Sequence, residues 1–208
     1  MDKEKNKAEF EELLRSTGRD GVEDMIEELE GNGFFEAPAS VNHHLNVEGG
    51  LAEHSLNTCK AALAVWEGMK KLEPSLEKEV SRESVIIASL LHDVCKADIY
   101  KRSAKKRKNA IGVWEDVEGY TVSYKNFPMG HGEKSVILIL CAGLELTDAE
   151  MLAIRWHMGA WGVNKDSYED ERCYDTSRKL YPLVTIVQTA DGLAATIMER
   201  SGEELDEL

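Results

Sequence analysis

The chain is short of the features that mark secreted, membrane-bound or nucleic-acid-binding proteins. Its four cysteines, Cys59, Cys95, Cys141 and Cys173, are widely spaced and form no C-x-x-C pair. That argues against a disulfide framework and predicts reduced, mostly buried thiols in a cytosolic protein. The longest apolar block, SVILILCAGL, is about half of the ~20 residues a bilayer crossing needs. The first residues, MDKEKNKAEFEELL, contain no apolar h-region, so no signal peptide is expected. Positive charge is scarce: 25 Lys and Arg against 39 Asp and Glu leave a net charge of −14. Such a balance favours solubility and works against wholesale binding to nucleic acid or an anionic membrane. Repeats and low-complexity segments are also lacking. A soluble, cytoplasmic protein with no membrane partner is the expectation, and the composition leaves its oligomeric state open.

What is present fits one domain, or one domain with a small appendage: 208 residues, 42% of them apolar. Residues 6–31 read as two short, charged helices broken at Thr17–Gly18, with a thin apolar stripe (Leu13, Leu14, Met25, Ile26, Leu29) that must dock on something. Gly50 to about Leu72 is a long amphipathic helix, and Ser84 to about Cys95 a buried one. KRSAKKRK (101–108) reads as a basic loop, and GVWEDVEGYTVSY as a hairpin turning at Glu118–Gly119. HGEKSVILILCAGL starts a fully buried helix, and Thr147 with Glu150 forms a capping box that opens the next. GAWGVNKDSYEDERCYDTS looks irregular. A last helix runs from roughly Leu180 to Arg200. The class is all-α with one small inserted hairpin, divided into a helical appendage at 1–39 and a main domain at 40–208.

The histidines and buried acids carry the chemistry. His54 lies on the face of its helix shared by Ala61 and Val65. His92 and Asp93 end the VIIASLL run, His131 starts a buried helix between Gly130 and Gly132, and His157 follows Ala153 and Ile154 by one turn. Asp191 interrupts LVTIVQTADGLAATIM, apolar nearly all round, with no Lys or Arg within a turn of it on that helix. An ionised carboxylate there costs several kcal/mol unless a charge or a metal compensates it. A single histidine on an apolar face is ordinarily a hydrogen-bonded core residue. Six such positions on five helices, using four of only six histidines, point instead to a metal site. Mixed imidazole and carboxylate donors suit Fe, Mn, Ni, Co or Zn. At a helix end His92 and Asp93 can both turn to one site, and Asp93 can bridge two ions.

The ordered set His54, His92–Asp93 and Asp191 resembles the signature of the HD-domain superfamily of metal-dependent phosphohydrolases, and His131 and His157 resemble the extra ligands of its two-metal members. HHLNVEGGLAEHSL and SLLHDVCK are also similar to the HD segment of certain bacterial exoribonucleases and other nucleotide-acting members. Cys95 stands where the family often has Gly. The resemblance covers about residues 40–200 and implies an all-α helical bundle with two divalent transition-metal ions. His54, His92, Asp93 and Asp191 would hold one ion, and Asp93, His131 and His157 the other. It implies phosphohydrolase action on a nucleotide-type phosphomonoester or phosphodiester through a metal-bridging hydroxide, with Asp93 and Lys96 as catalytic residues. The same ligand order serves di-iron oxygenases of the superfamily, and a non-catalytic nucleotide-binding sensor is a third reading. The expected partner is a small phosphorylated or nucleotide-type substrate. Nucleic acid is not favoured.

Lys96, three residues past Asp93, is implied to contact phosphate. Lys134 and Arg155 are further candidates for clamping phosphate, and His44 for lining the pocket mouth. Trp156, Trp161 and Tyr168 surround the loop after His157 and could stack on a ring or simply pack it down.

Overall fold

A computed structural model describes residues 2–109 and 111–200. Helix α1 (Lys3–Arg15) begins at Asp2, whose side chain accepts from the Lys5 N–H, and its apolar residues Phe10 and Leu14 are fully buried. Gly21 adopts φ 86° and opens α2 (Val22–Gly31). A Cβ there would meet the Gly143 carbonyl oxygen at 2.2 Å, so glycine is required both for the left-handed backbone and for the close approach. The stripe of α1 and α2 docks as expected. Phe10, Phe34 and Phe35 form a mutual cluster with ring centroids 5.2–5.5 Å apart, continuous with the core of the later helices.

That core is built on α3 (Gly50–Leu72), which packs on α5 (Arg82–Leu91) and α10 (Pro182–Leu193). A short α4 (Leu76–Glu79) connects α3 to α5. Ser81 caps α5, whose Val85 to Leu91 are buried on every side. The chain then turns at His92 and makes one further turn, α6 (Lys96–Ile99), so the buried helix is shorter than the sequence pattern suggests. Helix α7 (His131–Cys141) leads to α8 (Asp148–Arg155), which opens with the expected capping box between Thr147 and Glu150. Leu140 and Cys141 at the end of α7 are exposed, so that helix is half-buried rather than fully so. Cys173 is exposed too, and only Cys59 and Cys95 are buried. No single helix among the described residues is long and apolar enough to cross a membrane.

Two segments differ from expectation. KRSAKKRK is not a loop but most of strand β1 (Tyr100–Lys108), paired antiparallel with β2 (Trp114–Val122). The reversal lies at Asn109–Val113, where the Asn109 side-chain oxygen accepts from the Ile111 and Val113 N–H groups and Gly112 takes φ 80°. Glu118 and Gly119 lie inside β2, opposite Ala104 and Ser103. The hairpin stands largely exposed, so no apolar alternation marks it, and opposite charges such as Lys106 and Asp116 face each other across the ladder. The apparently irregular stretch after His157 holds a 3-10 turn, Gly159–Gly162, and helix α9 (Tyr168–Leu180). This helix starts at a Ser167 cap with acids in its first turn and bases in its last, which supports it without an apolar stripe. Past α10 the last helical turn, Ala194–Met198, widens to π geometry.

Candidate metal centre

Helix ends position two of the histidines by the same device. The last carbonyls of an α-helix have no intrahelical donor. His92 Nδ1 donates to the Ser89 carbonyl at the end of α5 (2.8 Å), and His157 Nδ1 donates to the Ile154 carbonyl at the end of α8 (2.7 Å). A carbonyl can only accept, so each ring carries its proton on Nδ1 and turns a bare Nε2 inward. His54 comes from the body of α3, His131 from the first residue of α7, and Asp191 from α10.

The other five side chains gather around Asp93. Its Oδ2 lies 3.1 Å from His92 Nε2 and 3.7 Å from His54 Nε2. Its Oδ1 lies 3.4 Å from His157 Nε2 and 3.8 Å from His131 Nε2. One carboxylate therefore faces two pairs of imidazoles with two different oxygens. Asp191 Oδ1 joins the first pair, 3.2 Å from His54 Nε2. His54, His92, Asp93 and His157 are buried, whereas the side chains of His131 and Asp191 remain 31% and 17% exposed. Solvent or a ligand thus enters over His131 and Asp191.

Electrostatics within the ring are unbalanced. Burial by itself raises the Asp93 carboxyl, but Lys96, His92 and His157 outweigh it and hold it well below the usual range. Burial lowers His54, yet hydrogen bonds to Asp191 and Glu199 prevail and lift it to about 9. For His131 burial outweighs the attraction of Asp93, and the neighbouring cations add to it, pushing it down to about 4. Asp93 Oδ1 is buried without a hydrogen-bond partner among the described residues. Nε2 atoms face each other at 3.3 Å (His92 and His54) and 3.1 Å (His131 and His157), a contact two lone pairs do not make unless a proton or cation lies between them. His54, His92 and Asp191, and separately His92, Asp93 and His157, offer ligand atoms close enough to share one cation. An orphan carboxylate oxygen and inward-facing bare nitrogens fit divalent transition metals, whose binding would displace the proton that the carboxylates otherwise hold on His54.

The other expected contacts divide. Lys96 Nζ lies 2.5 Å from Asp93 Oδ2, at the edge of the ring. Lys134 does not reach it as a free phosphate clamp: its buried ammonium pairs with Asp98 and donates to the Asn126 carbonyl. Arg155 is likewise engaged, 2.6 Å from Glu133 and stacked 3.8 Å over the Trp156 ring. His44 lies beside the site, its ring 4.8 Å from that of His54. Trp156 is core, packed on Tyr174, while Trp161 and Tyr168 are exposed. Sequence reasoning missed Glu199, whose carboxylate sits 3.0–3.1 Å from His54 Nδ1. Like Asp191, it is an acid at the end of an apolar run, but its place before Arg200 gave it the look of a solvated helix end.

The HD domain family matches residues 51–196. A curated relative, the dihydroneopterin 2',3'-cyclic phosphate phosphodiesterase of Methanocaldococcus jannaschii, is 43% identical over 67 residues, 32% of this chain and 26% of that protein. The aligned part is thus about a quarter of the relative's length. No solved structure matches the chain with comparable significance. The family match takes in well over half of the chain and includes all six converging residues, and the chain therefore belongs to the HD domain family.

Proposed function

We propose that the protein is a metal-dependent phosphohydrolase of nucleotide-type phosphoesters, with a phosphodiester as the favoured bond. One observation carries the reading: Asp93 presents one oxygen to His54 and His92 and the other to His131 and His157, an arrangement suited to two cations side by side. The family and the phosphodiesterase relative support hydrolysis. Divalent ions bound here would supply Lewis acidity toward a phosphoryl oxygen and an acidified water. The chain's own residues set the rest. Asp93 holds both halves of the site together, and the buried walls formed by His54, His92 and His157 shield it, while His131 and Asp191 are partly open to solvent. Lys96 places an ammonium at the edge of the ring, where it can neutralise charge growing on phosphate oxygens.

The test uses metal-free protein loaded separately with Mn²⁺, Fe²⁺, Ni²⁺, Co²⁺ and Zn²⁺. Each form is assayed on a 2',3'-cyclic nucleotide, bis-p-nitrophenyl phosphate and p-nitrophenyl phosphate. Turnover of the diesters supports the proposal, and turnover of the monoester alone makes the protein a phosphatase. Inertness toward all three, with iron-dependent oxygen uptake, would replace hydrolysis by oxygenase chemistry.

A further inference from the structure

We propose that Glu199 is a positioning residue for His54, fixing which nitrogen of that ring faces the metal centre. The inference rests on the metal reading above, and Glu199 lies outside the segment matched to the family. His92 and His157 have their tautomers set by unpaired carbonyls at helix ends. His54 cannot use that device, because it lies inside α3, where the carbonyls one turn back are already bonded within the helix. Its Nδ1 instead meets the Glu199 carboxylate, with oxygens at 3.0 and 3.1 Å. A carboxylate accepts, so Nδ1 keeps its proton when a metal displaces the one that Nε2 shares with Asp191, and Nε2 is the nitrogen then free to ligate beside His92. Asn57, three residues along α3, donates to the same carboxylate at 3.0 Å and orients it.

The backbone is bent to this purpose. Along an unbroken α-helix, eight residues at roughly 100° each would leave Glu199 about 80° off the face that carries Asp191. The π turn at Ala194–Met198 winds more widely and takes back that rotation. Asp191 and Glu199 then reach the two nitrogens of one ring, 3.2 Å on Nε2 and 3.0 Å on Nδ1. π turns inside helices are frequent at functional sites.

The test is titration of the metal-free, full-length protein with Mn²⁺ alone, read by calorimetry, so that no substrate enters. Glu199→Ala should bind Mn²⁺ ~10–100-fold more weakly, the usual cost of losing a carboxylate behind a ligating histidine. Glu199→Gln, whose amide oxygen still accepts from Nδ1, should recover most of that loss. Nitrogen-15 spectra of the Zn²⁺-loaded wild type should show His54 protonated on Nδ1 and ligated through Nε2. Ligation through Nδ1 overturns the proposal without any variant. So does wild-type Mn²⁺ affinity in Glu199→Ala, even if that variant melts earlier, since it would make Glu199 a merely structural contact. A wild type that takes up no Mn²⁺ overturns the metal reading itself and this role with it. Normal Mn²⁺ affinity without phosphoester turnover would remove the hydrolase reading and leave Glu199 in place.

Discussion

Two carboxylates in this molecule are equally buried and differently treated. Glu150, at the start of α8, has no exposed surface, and its oxygens accept from both terminal nitrogens of Arg19 (2.8 and 3.0 Å) and from the Thr147 N–H (2.8 Å). Asp93, just past the end of α5, is 1% exposed, and one of its oxygens has no hydrogen-bond partner among the described residues. Glu150 is satisfied by the protein alone, and it ties the Thr17–Gly21 turn to α8. Asp93 is surrounded by imidazoles and Lys96 in a geometry the protein does not complete. Burial of a charge therefore says little by itself about function. An orphan oxygen says more, because a fold bears the cost of a buried, unpaired carboxylate oxygen only where another group satisfies it.

The sharpest break in the comparison is to remove each acid's reason for being buried. Asp93→Ala should strip most of the metal and abolish hydrolysis while leaving helical content unchanged, as read by metal analysis, assay and circular dichroism. Metal retained at wild-type stoichiometry would show that Asp93 does not join the two halves. Lys96→Met should come next in size. It removes a positive charge 2.5 Å from an Asp93 oxygen, so bound metal should stay or tighten. Turnover should fall ~10²–10³-fold, the scale of losing one preorganised donor. A rise in KM with kcat intact would make Lys96 an anchor for anionic substrate instead.

The sequence made these two acids unequally visible, and so too the fold around them. Asp93 and the histidines were legible because each puts an expensive polar group into an apolar run, and α3 was legible from end to end because its stripe spans 23 residues. The capping box exposed the start of α8, yet nothing in the sequence pairs Glu150 with Arg19, 131 positions away. The ion pairs of Lys134 and Arg155 are invisible for the same reason, since Asp98 and Glu133 become their partners only in three dimensions. The hairpin register and α9 escaped because neither buries an apolar face, and periodicity reports burial rather than secondary structure as such.

Arg19→Ala sharpens the comparison from the structural side. Removing one partner of a fully buried pair costs about 3–5 kcal/mol. Arg19 keeps 23% of its side chain exposed, so screening should reduce the loss to ~2–3 kcal/mol. At this chain length that is a drop of roughly 4–12 °C in Tm. Mn²⁺ affinity should not change, since Arg19 touches nothing in the metal centre. Weakened metal binding in this variant would show that the two buried carboxylates are coupled rather than independent.

The smallest effect, and the most specific, is in acid. Burial by itself raises the Glu150 carboxyl above its ordinary 4.5, but the Arg19 guanidinium and the Thr147 N–H outweigh burial and hold it below that value. A carboxyl depressed in the folded state contributes stability that is fully present above the unfolded pKa and is lost as pH falls through the folded one. Without Arg19, burial is left opposed mainly by the Thr147 N–H, so the carboxyl should move back up and the sign of its contribution should weaken or reverse. Urea unfolding of wild type and Arg19→Ala between pH 7 and pH 3 reads this contribution, because Glu150 is the carboxylate to which Arg19 donates. The gap in stability should be widest near neutrality and should narrow below about pH 4.5, as Glu150 protonates in the unfolded chain and then in the folded wild type. A gap that stays constant across the range would mean that Arg19 stabilises through the packing of its aliphatic stem, and that Glu150 is held by its capping bonds alone.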